Sequence, residues 1–242
     1  MAVSTPSTAG IPHPPEVGDT ISNTCSIVCY RRRMAAALQG SLLDLADEIT
    51  LRPLGGTVRR TELGLGAWVD TRPGWLGGAE ELFAALARDV PWHAEQREMY
   101  DRVVDVPRLT KFYDEHEPLP HPVLDAARDA LSRHYGAELG EPFRTAGLCH
   151  YRDGQDSVAW HGDRIGRAKD LDTMVAILSV GAARDLMLRP RGGGPSQGFS
   201  LGHGDLVVMG GSCQRTWDHA ILKTARRVGP RISIQFRPQG VR

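Results

Sequence analysis

A chain of 242 residues with 41% hydrophobic and 24% charged content is long enough to bury one large core, so a single globular domain with a ragged end is expected. Its longest apolar runs, such as Met174 to Val180, are strand-sized and far short of the roughly 18 to 20 residues of a membrane helix, which excludes a membrane protein. Lysine plus arginine number 29 and aspartate plus glutamate 29, so no molecule-wide positive field draws the chain to nucleic acid, and any such contact is local.

In chain order, Met1 to Asp19 is built of Ser, Thr, Pro and Gly without Lys or Arg, and cannot offset the entropy of ordering. Residues 1–33 are therefore expected to be disordered, with Met34 as an alternative start, and 34–242 to form one domain. Neither a secretory signal nor a transit peptide fits, because the one basic cluster is Arg31-Arg32-Arg33. Cys25, Cys29, Cys149 and Cys213 are too few and too irregularly spaced for a disulfide scaffold or a four-thiolate zinc site, which points to a reducing, cytoplasmic setting.

Ala79 to Arg88 places Leu82, Phe83 and Leu86 at helical spacing before Pro91. A second helix starts with Pro122 at its first position, carries Val123, Leu124, Ala127, Leu131 and Tyr135 on one stripe, and is expected to end at Gly136. Beyond Glu141 come short apolar or alternating runs: Gly147 to Tyr151, Thr173 to Val180, Asp185 to Leu188, Gly198 to Leu201, Leu206 to Met209 and Arg231 to Phe236. Turn clusters such as Arg191-Gly192-Gly193-Gly194-Pro195 separate them. The class predicted is α+β, mainly β, with a jelly roll buttressed by helices. Trp160, Trp217 and Phe199 are expected in its core.

His161-Gly162-Asp163 sets an imidazole and a carboxylate two residues apart, on one face of an extended chain. A third ligand from a distant strand, His203 or His219, completes the two-histidine, one-carboxylate set of non-haem Fe(II) oxygenases. In Arg231-Ile232-Ser233-Ile234-Gln235-Phe236-Arg237 the polar residues share one face and the apolar residues the other. Two inward guanidiniums are costly unless carboxylates pair with them, and a dicarboxylate co-substrate meets that need.

His161-x-Asp163, a distal His219 in Asp218-His219-Ala220-Ile221, and Arg231-x5-Arg237 together resemble the AlkB family of Fe(II)/2-oxoglutarate dioxygenases. Leu201 to Gly211 is similar to the family's turn and strand before the distal histidine, which makes His203 the turn residue and His219 the ligand. The resemblance covers about Leu148 to Arg237, and Val106-Pro107-Arg108 more loosely resembles the start of a substrate-reading region. It implies a double-stranded β-helix, with a jelly-roll core over 145–238 and substrate recognition over 75–120. His161, Asp163 and His219 would hold Fe(II), and Arg231 would pair with the distal carboxylate of 2-oxoglutarate. Arg237 would lie by the iron-proximal carboxylate and Asp163, while Tyr151 would hydrogen-bond the co-substrate. Tyr100, Arg108, Tyr113 and Ile165 fall in the substrate region.

Two departures from the family pattern stand out. The family's Asn-x-Tyr is Cys149-His150-Tyr151 here, and a thiol is a poor replacement donor. Ile165 replaces an acid near the flipped base, which favours neutral adducts unless Glu115 or Asp156 fills that role. The implied activity is oxidative dealkylation of alkylated nucleobases in DNA or RNA by a monomer using Fe(II), 2-oxoglutarate and O2, without a membrane or an obligate protein partner. The alternatives are an AlkB-like oxygenase acting on RNA or protein, or a non-catalytic jelly-roll metal-binding protein.

Overall fold

A computed structural model describes residues 48–99, 102–163 and 170–241, which lie within the compact unit Leu42–Arg242. The segment 1–33 and its boundary with the domain fall outside the described residues, as do Tyr100 and Ile165. In chain order the elements are β1 (Thr50–Leu51), β2 (Arg59–Gly64), β3 (Ala67–Arg72), β4 (Leu76–Gly77), α1 (Ala79–Asp89), β5 (His93–Met99) and β6 (Arg102–Tyr113). There follow α2 (Pro122–Leu139), β7 (Thr145–Tyr151), β8 (Val158–His161), β9 (Val175–Gly181), β10 (Arg184–Pro190) and β11 (Gln197–Leu201). The chain closes with β12 (Asp205–Gly211), α3 (Cys213–Thr216), β13 (Trp217–Ile221) and β14 (Arg231–Arg237).

Eight strands form a large sheet in the order β2-β3-β12-β9-β14-β7-β6-β5, and four form a small one in the order β11-β10-β13-β8. Pairing within both is antiparallel. One apolar cluster packs the large sheet against α1 and α2, through Leu178, Ile232, Ile234 and Phe236 on the sheet side and Leu82, Leu86, Leu124 and Leu131 on the helices. A second fills the space between the sheets, with Val175, Ile177, Val207 and Met209 facing Leu186, Leu188, Trp217 and Ile221. Each fully buried aliphatic side chain contributes about 1.5–3 kcal/mol, so these two layers hold the double-stranded β-helix closed.

The helices form where the sequence places them, with one difference. In α2 the His121 ring accepts from the Val123 N–H at 3.2 Å, Pro122 takes the first turn, and Leu124, Ala127, Leu131 and Tyr135 form the buried stripe. The helix runs past Gly136 to Leu139, because the stop needs a left-handed residue and Gly140 supplies it at φ 79°. Trp160 also departs from expectation: it is only partly buried and lies under Arg189, whose guanidinium carbon is 4.2 Å from the ring centroid. Trp217 is in the core, and Phe199 packs against it half-buried.

Strand β14 positions the site. Its period of two sends Ile232, Ile234 and Phe236 into the helix-side core and leaves Arg231, Ser233 and Gln235 lining a cavity between the sheets. A solvated basic face is thereby excluded, since residues 231–236 are all buried.

Candidate active site

His161 ends β8 and His219 lies in β13, directly opposite it in register. Asp163 follows two residues later, and one ligand atom from each of the three lies within 4.8 Å of the others. The two imidazole centroids are 4.2 Å apart. His161 donates from Nδ1 to the carbonyl of Ala159 at 2.9 Å, which leaves the lone pair on Nε2, 3.5 Å from Oδ1 of Asp163. His203, the other histidine weighed for the third position, instead accepts from the Gly181 N–H at 2.7 Å in the turn before β12.

Charge around the cluster is tightly arranged. Asp163 is 4% exposed, and its Oδ2 accepts from Nε of Arg237 at 2.7 Å. Burial alone pushes its carboxyl up, but Arg237, His219 and His161 outweigh this and hold it below the usual carboxylate range. Burial, aided by His161, lowers His219 to about 3, so that ring is neutral and able to ligate. Two imidazoles and one ionised carboxylate on one side of a cavity are a donor set that suits Fe(II) and leaves positions for other ligands.

Beside the cluster is an inner cavity of about 80 Å³ walled by Tyr151, Val175, Ile177, Leu186, Arg231 and Gln235 among others. Arg231 is 1% exposed; its Nε donates to Oγ of Ser179 at 2.9 Å, while Nη1 has no partner among the described residues. A buried guanidinium with an orphaned donor is costly and fits a carboxylate guest. Tyr151 lies against it, 5.3 Å from ring centroid to guanidinium carbon, with its phenol pushed up to about 12, chiefly by burial. These residues therefore fit both a metal and a dicarboxylate co-substrate.

Of the residues singled out from sequence, the structure brings together His161, Asp163, His219, Tyr151, Arg231, Arg237 and Arg108. Arg108 lines this cavity and also an outer one of about 920 Å³, which shares His161 and Asp163 with it and adds Glu95, Thr110 and Phe112. Tyr113 is a correction: it is 4% exposed in the helix-side core and lines neither cavity, because alternation along β6 puts it on the opposite face from Arg108, Thr110 and Phe112. Glu115 pairs with Arg144 and Gln239, and Asp156 with Arg152, so neither supplies an acid to the cavities. Sequence reasoning assigned no role to Ser179, Gln214 or Gln235. Gln235 shares the polar face of β14, and its Oε1 lies 3.8 Å from Sγ of Cys149, which puts an amide beside the thiol that replaces the family's asparagine. Gly147 makes room for it: a Cβ there would meet Nη1 of Arg237 at 2.9 Å and Oε1 of Gln235 at 3.2 Å.

Comparison with known proteins identifies the family. Residues 81–237 match the 2OG-Fe(II) oxygenase superfamily. The chain is 32% identical over 186 residues to the alpha-ketoglutarate-dependent dioxygenase alkB homolog 3 of Bos taurus, covering 67% of this chain and 62% of that protein. To the Homo sapiens counterpart it is 31% identical over 214 residues, covering 78% and 69%. To the DNA oxidative demethylase ALKBH2 of Bos taurus it is 28% identical over 182 residues, covering 66% and 64%. The chain thus spans less than two thirds of the bovine relatives. The solved structure of OsALKBH1 shares the fold, with a TM-score of 0.54 at 10% identity over 75% of this chain and 100% of that one. By the superfamily match and the identity to the human relative, the chain belongs to the 2OG-Fe(II) oxygenase superfamily as an AlkB-like dioxygenase.

Proposed function

We propose that the chain removes alkyl groups from nucleobases in DNA, coupling decarboxylation of 2-oxoglutarate to hydroxylation of the alkyl carbon and releasing succinate, CO2 and an aldehyde. The observation that carries this reading is the orphaned Nη1 of buried Arg231 in the same cavity as the His161, Asp163 and His219 cluster. Bound there, iron and 2-oxoglutarate supply with O2 the oxidant for an N-alkyl carbon, whose hydroxylated product is a hemiaminal that breaks to free the base.

The protein's own contribution is placement. Arg231 and Tyr151 receive the far carboxylate of the co-substrate, and Ser179 fixes the guanidinium plane through Nε. Arg237 aligns Asp163 and supplies positive charge beside the near carboxylate. Val175, Ile177 and Leu186 keep the inner cavity apolar around these charges, which strengthens each pairing. The outer cavity, with Arg108 and Phe112 on its wall, offers a cation and a ring to a base taken out of its stack. The relatives called DNA oxidative demethylases support a DNA substrate.

The test incubates the protein, Fe(II) and 2-oxoglutarate with single-stranded DNA and RNA oligonucleotides and a peptide, each bearing N-alkyl groups, and reads product masses. Loss of the alkyl group from DNA is expected. Turnover of the peptide or RNA alone would overturn the substrate assignment, and absence of succinate with every substrate would favour a metal-binding protein without turnover.

A further inference from the structure

The metal cluster is held from outside by a residue that touches no proposed ligand atom. Gln214, on α3, is 1% exposed. Its Oε1 accepts from the backbone N–H of Asp163 at 3.0 Å, across 51 residues of sequence. Its Nε2 reaches Sδ of Met209 at 3.9 Å, a weak acceptor. Burying an amide with so weak a partner at its donor end is unfavourable, so packing alone does not account for glutamine here; an apolar side chain of equal size would cost less. What distinguishes glutamine is the acceptor it offers to Asp163.

The turn that carries Gln214 is anchored on both sides. Ser212 donates from its backbone N–H to the carbonyl of Gly66 at 3.1 Å and from Oγ to that of Leu65 at 2.6 Å, which ties the turn to the tip of the β2–β3 hairpin. Arg215 pairs through Nε with Asp172 at 2.8 Å. The chain then runs directly from α3 into β13, three residues before His219. Asp163 is thus bonded through its backbone to the segment that delivers the distal histidine and through its carboxylate to Arg237. Those two bonds fix different degrees of freedom. Arg237 sets the plane of the carboxylate, while Gln214 sets where the loop after β8 lies relative to β13.

We propose that Gln214 is a positioning residue for Asp163, clasping the loop after β8 to the turn before β13 so that metal affinity depends on a side chain outside the ligand set. The proposal rests on Asp163 being a ligand, as the proposed function holds. Partners of this kind typically set affinity by 10- to 100-fold.

The experiment titrates Co(II) into the metal-free protein against a competing chelating dye, with circular dichroism melts of the same samples. Gln214→Met keeps the volume and removes the acceptor; its Co(II) affinity is expected to fall by about tenfold or more, with the metal-free melt little changed. Gln214→Glu retains an accepting oxygen and is expected to recover most of the loss. Wild-type affinity in Gln214→Met, or equal losses in the Met and Glu variants, would overturn the clasp. If Gln214→Met does not fold, Gln214→Asn, whose amide is too short to span the gap, is used, and wild-type affinity there overturns the proposal equally. Asp163→Ala separates the two readings: if it also binds Co(II) like wild type, the ligand assignment fails, whereas its loss beside an unaffected Gln214 variant sinks the clasp alone.

Discussion

Arg237 donates from Nε to Oδ2 of Asp163 at 2.7 Å, joining the last residue of β14 to the loop after β8 across 74 residues of sequence. Both side chains are largely buried, so removing one leaves the other's charge without compensation. Breaking such a pair costs about 3–5 kcal/mol, and at about 2–4 °C per kcal/mol for a domain of this size the melting temperature of metal-free Arg237→Ala should fall by roughly 6 °C or more. Part of this should return on adding Co(II), because a cation at Asp163 replaces the lost counter-charge. A melt equal to wild type would show that the pair contributes little to the fold.

Arg231→Ala should raise the concentration of 2-oxoglutarate required. A charge-assisted bidentate contact in a partly buried site is worth about 1.5–3 kcal/mol, or roughly ten- to a hundredfold. Arg231→Lys should rescue poorly, since an ammonium cannot reproduce the fork or the Nε bond to Ser179. Equilibrium binding of 2-oxoglutarate to the Co(II)-loaded protein measures this, and unchanged affinity would mean that the orphaned Nη1 is not the carboxylate anchor.

How much of this was legible in the sequence follows from how local each signal is. The alternation in 231–237 and the stripe from Leu124 to Tyr135 depend on one element each, and both reappear as read. The HxD pair was legible because its spacing alone puts both groups on one face. Strand β8 was not, since it is four residues long and its pairing with β13 slips between His219 and Ile221. Strand β3 was hidden by Asp70, a charge in the middle of a buried run. Its burial makes sense only with Arg60, which grips it from Nε at 2.8 Å and Nη2 at 2.9 Å, and the Tyr135 hydroxyl at 3.1 Å. Gln214 leaves no local pattern at all, because the group it serves lies 51 residues away.

Asp163→Ala should abolish turnover and keep the folded architecture, though its melting temperature should fall as in Arg237→Ala because the Arg237 guanidinium loses its partner. The two core layers rest on apolar side chains from both sheets and both long helices, and His161, Asp163 and His219 belong to neither. Far-ultraviolet circular dichroism of wild type with and without a chelator should be superimposable. Large unfolding of the metal-free protein would make the metal structural as well as catalytic.

His150 predicts a dependence of stability on pH. It stands on β7 with its ring 5.2 Å from that of Trp92 and 6.4 Å from that of Phe83, and neither ring nitrogen has a partner among the described residues. Burial holds its pKa below the usual imidazole value; the nearby Asp156 opposes this and Arg152 reinforces it. An unfolded histidine titrates near about 6.5, so as pH falls through that value the unfolded chain takes up a proton that folded His150 refuses. Stability from this site is therefore full above about pH 6.5 and declines until the folded pKa is passed. His150→Phe, which fills the aromatic contact without titrating, should flatten the fall in melting temperature between about pH 7.5 and 5.5. An unchanged slope would assign the effect to other groups.

The choice of base should depend on Glu95. Ile165 alone argues for neutral adducts, because an apolar side chain does nothing to offset a cationic base. The outer cavity contains an acid from elsewhere: Glu95 lies on its wall, in the bulge where β5 slips against β6, and its Oε1 accepts from the Thr110 hydroxyl at 2.8 Å. A bulge re-aims the side chain it carries, and the Thr110 bond holds this carboxylate in place. Among the described residues lining that cavity, the other carboxylate is Asp163, already engaged by Arg237. A half-buried carboxylate favours a positively charged base over a neutral one by about 1 kcal/mol, or roughly fivefold. Competition between oligonucleotides bearing 1-methyladenine or 3-methylcytosine and matched ones bearing neutral etheno adducts measures that ratio. The isosteric Glu95→Gln should lower it by roughly that factor while leaving 2-oxoglutarate binding unchanged, since Glu95 does not line the inner cavity. An unaltered ratio would show that the shape of the cavity, and not its charge, selects the base.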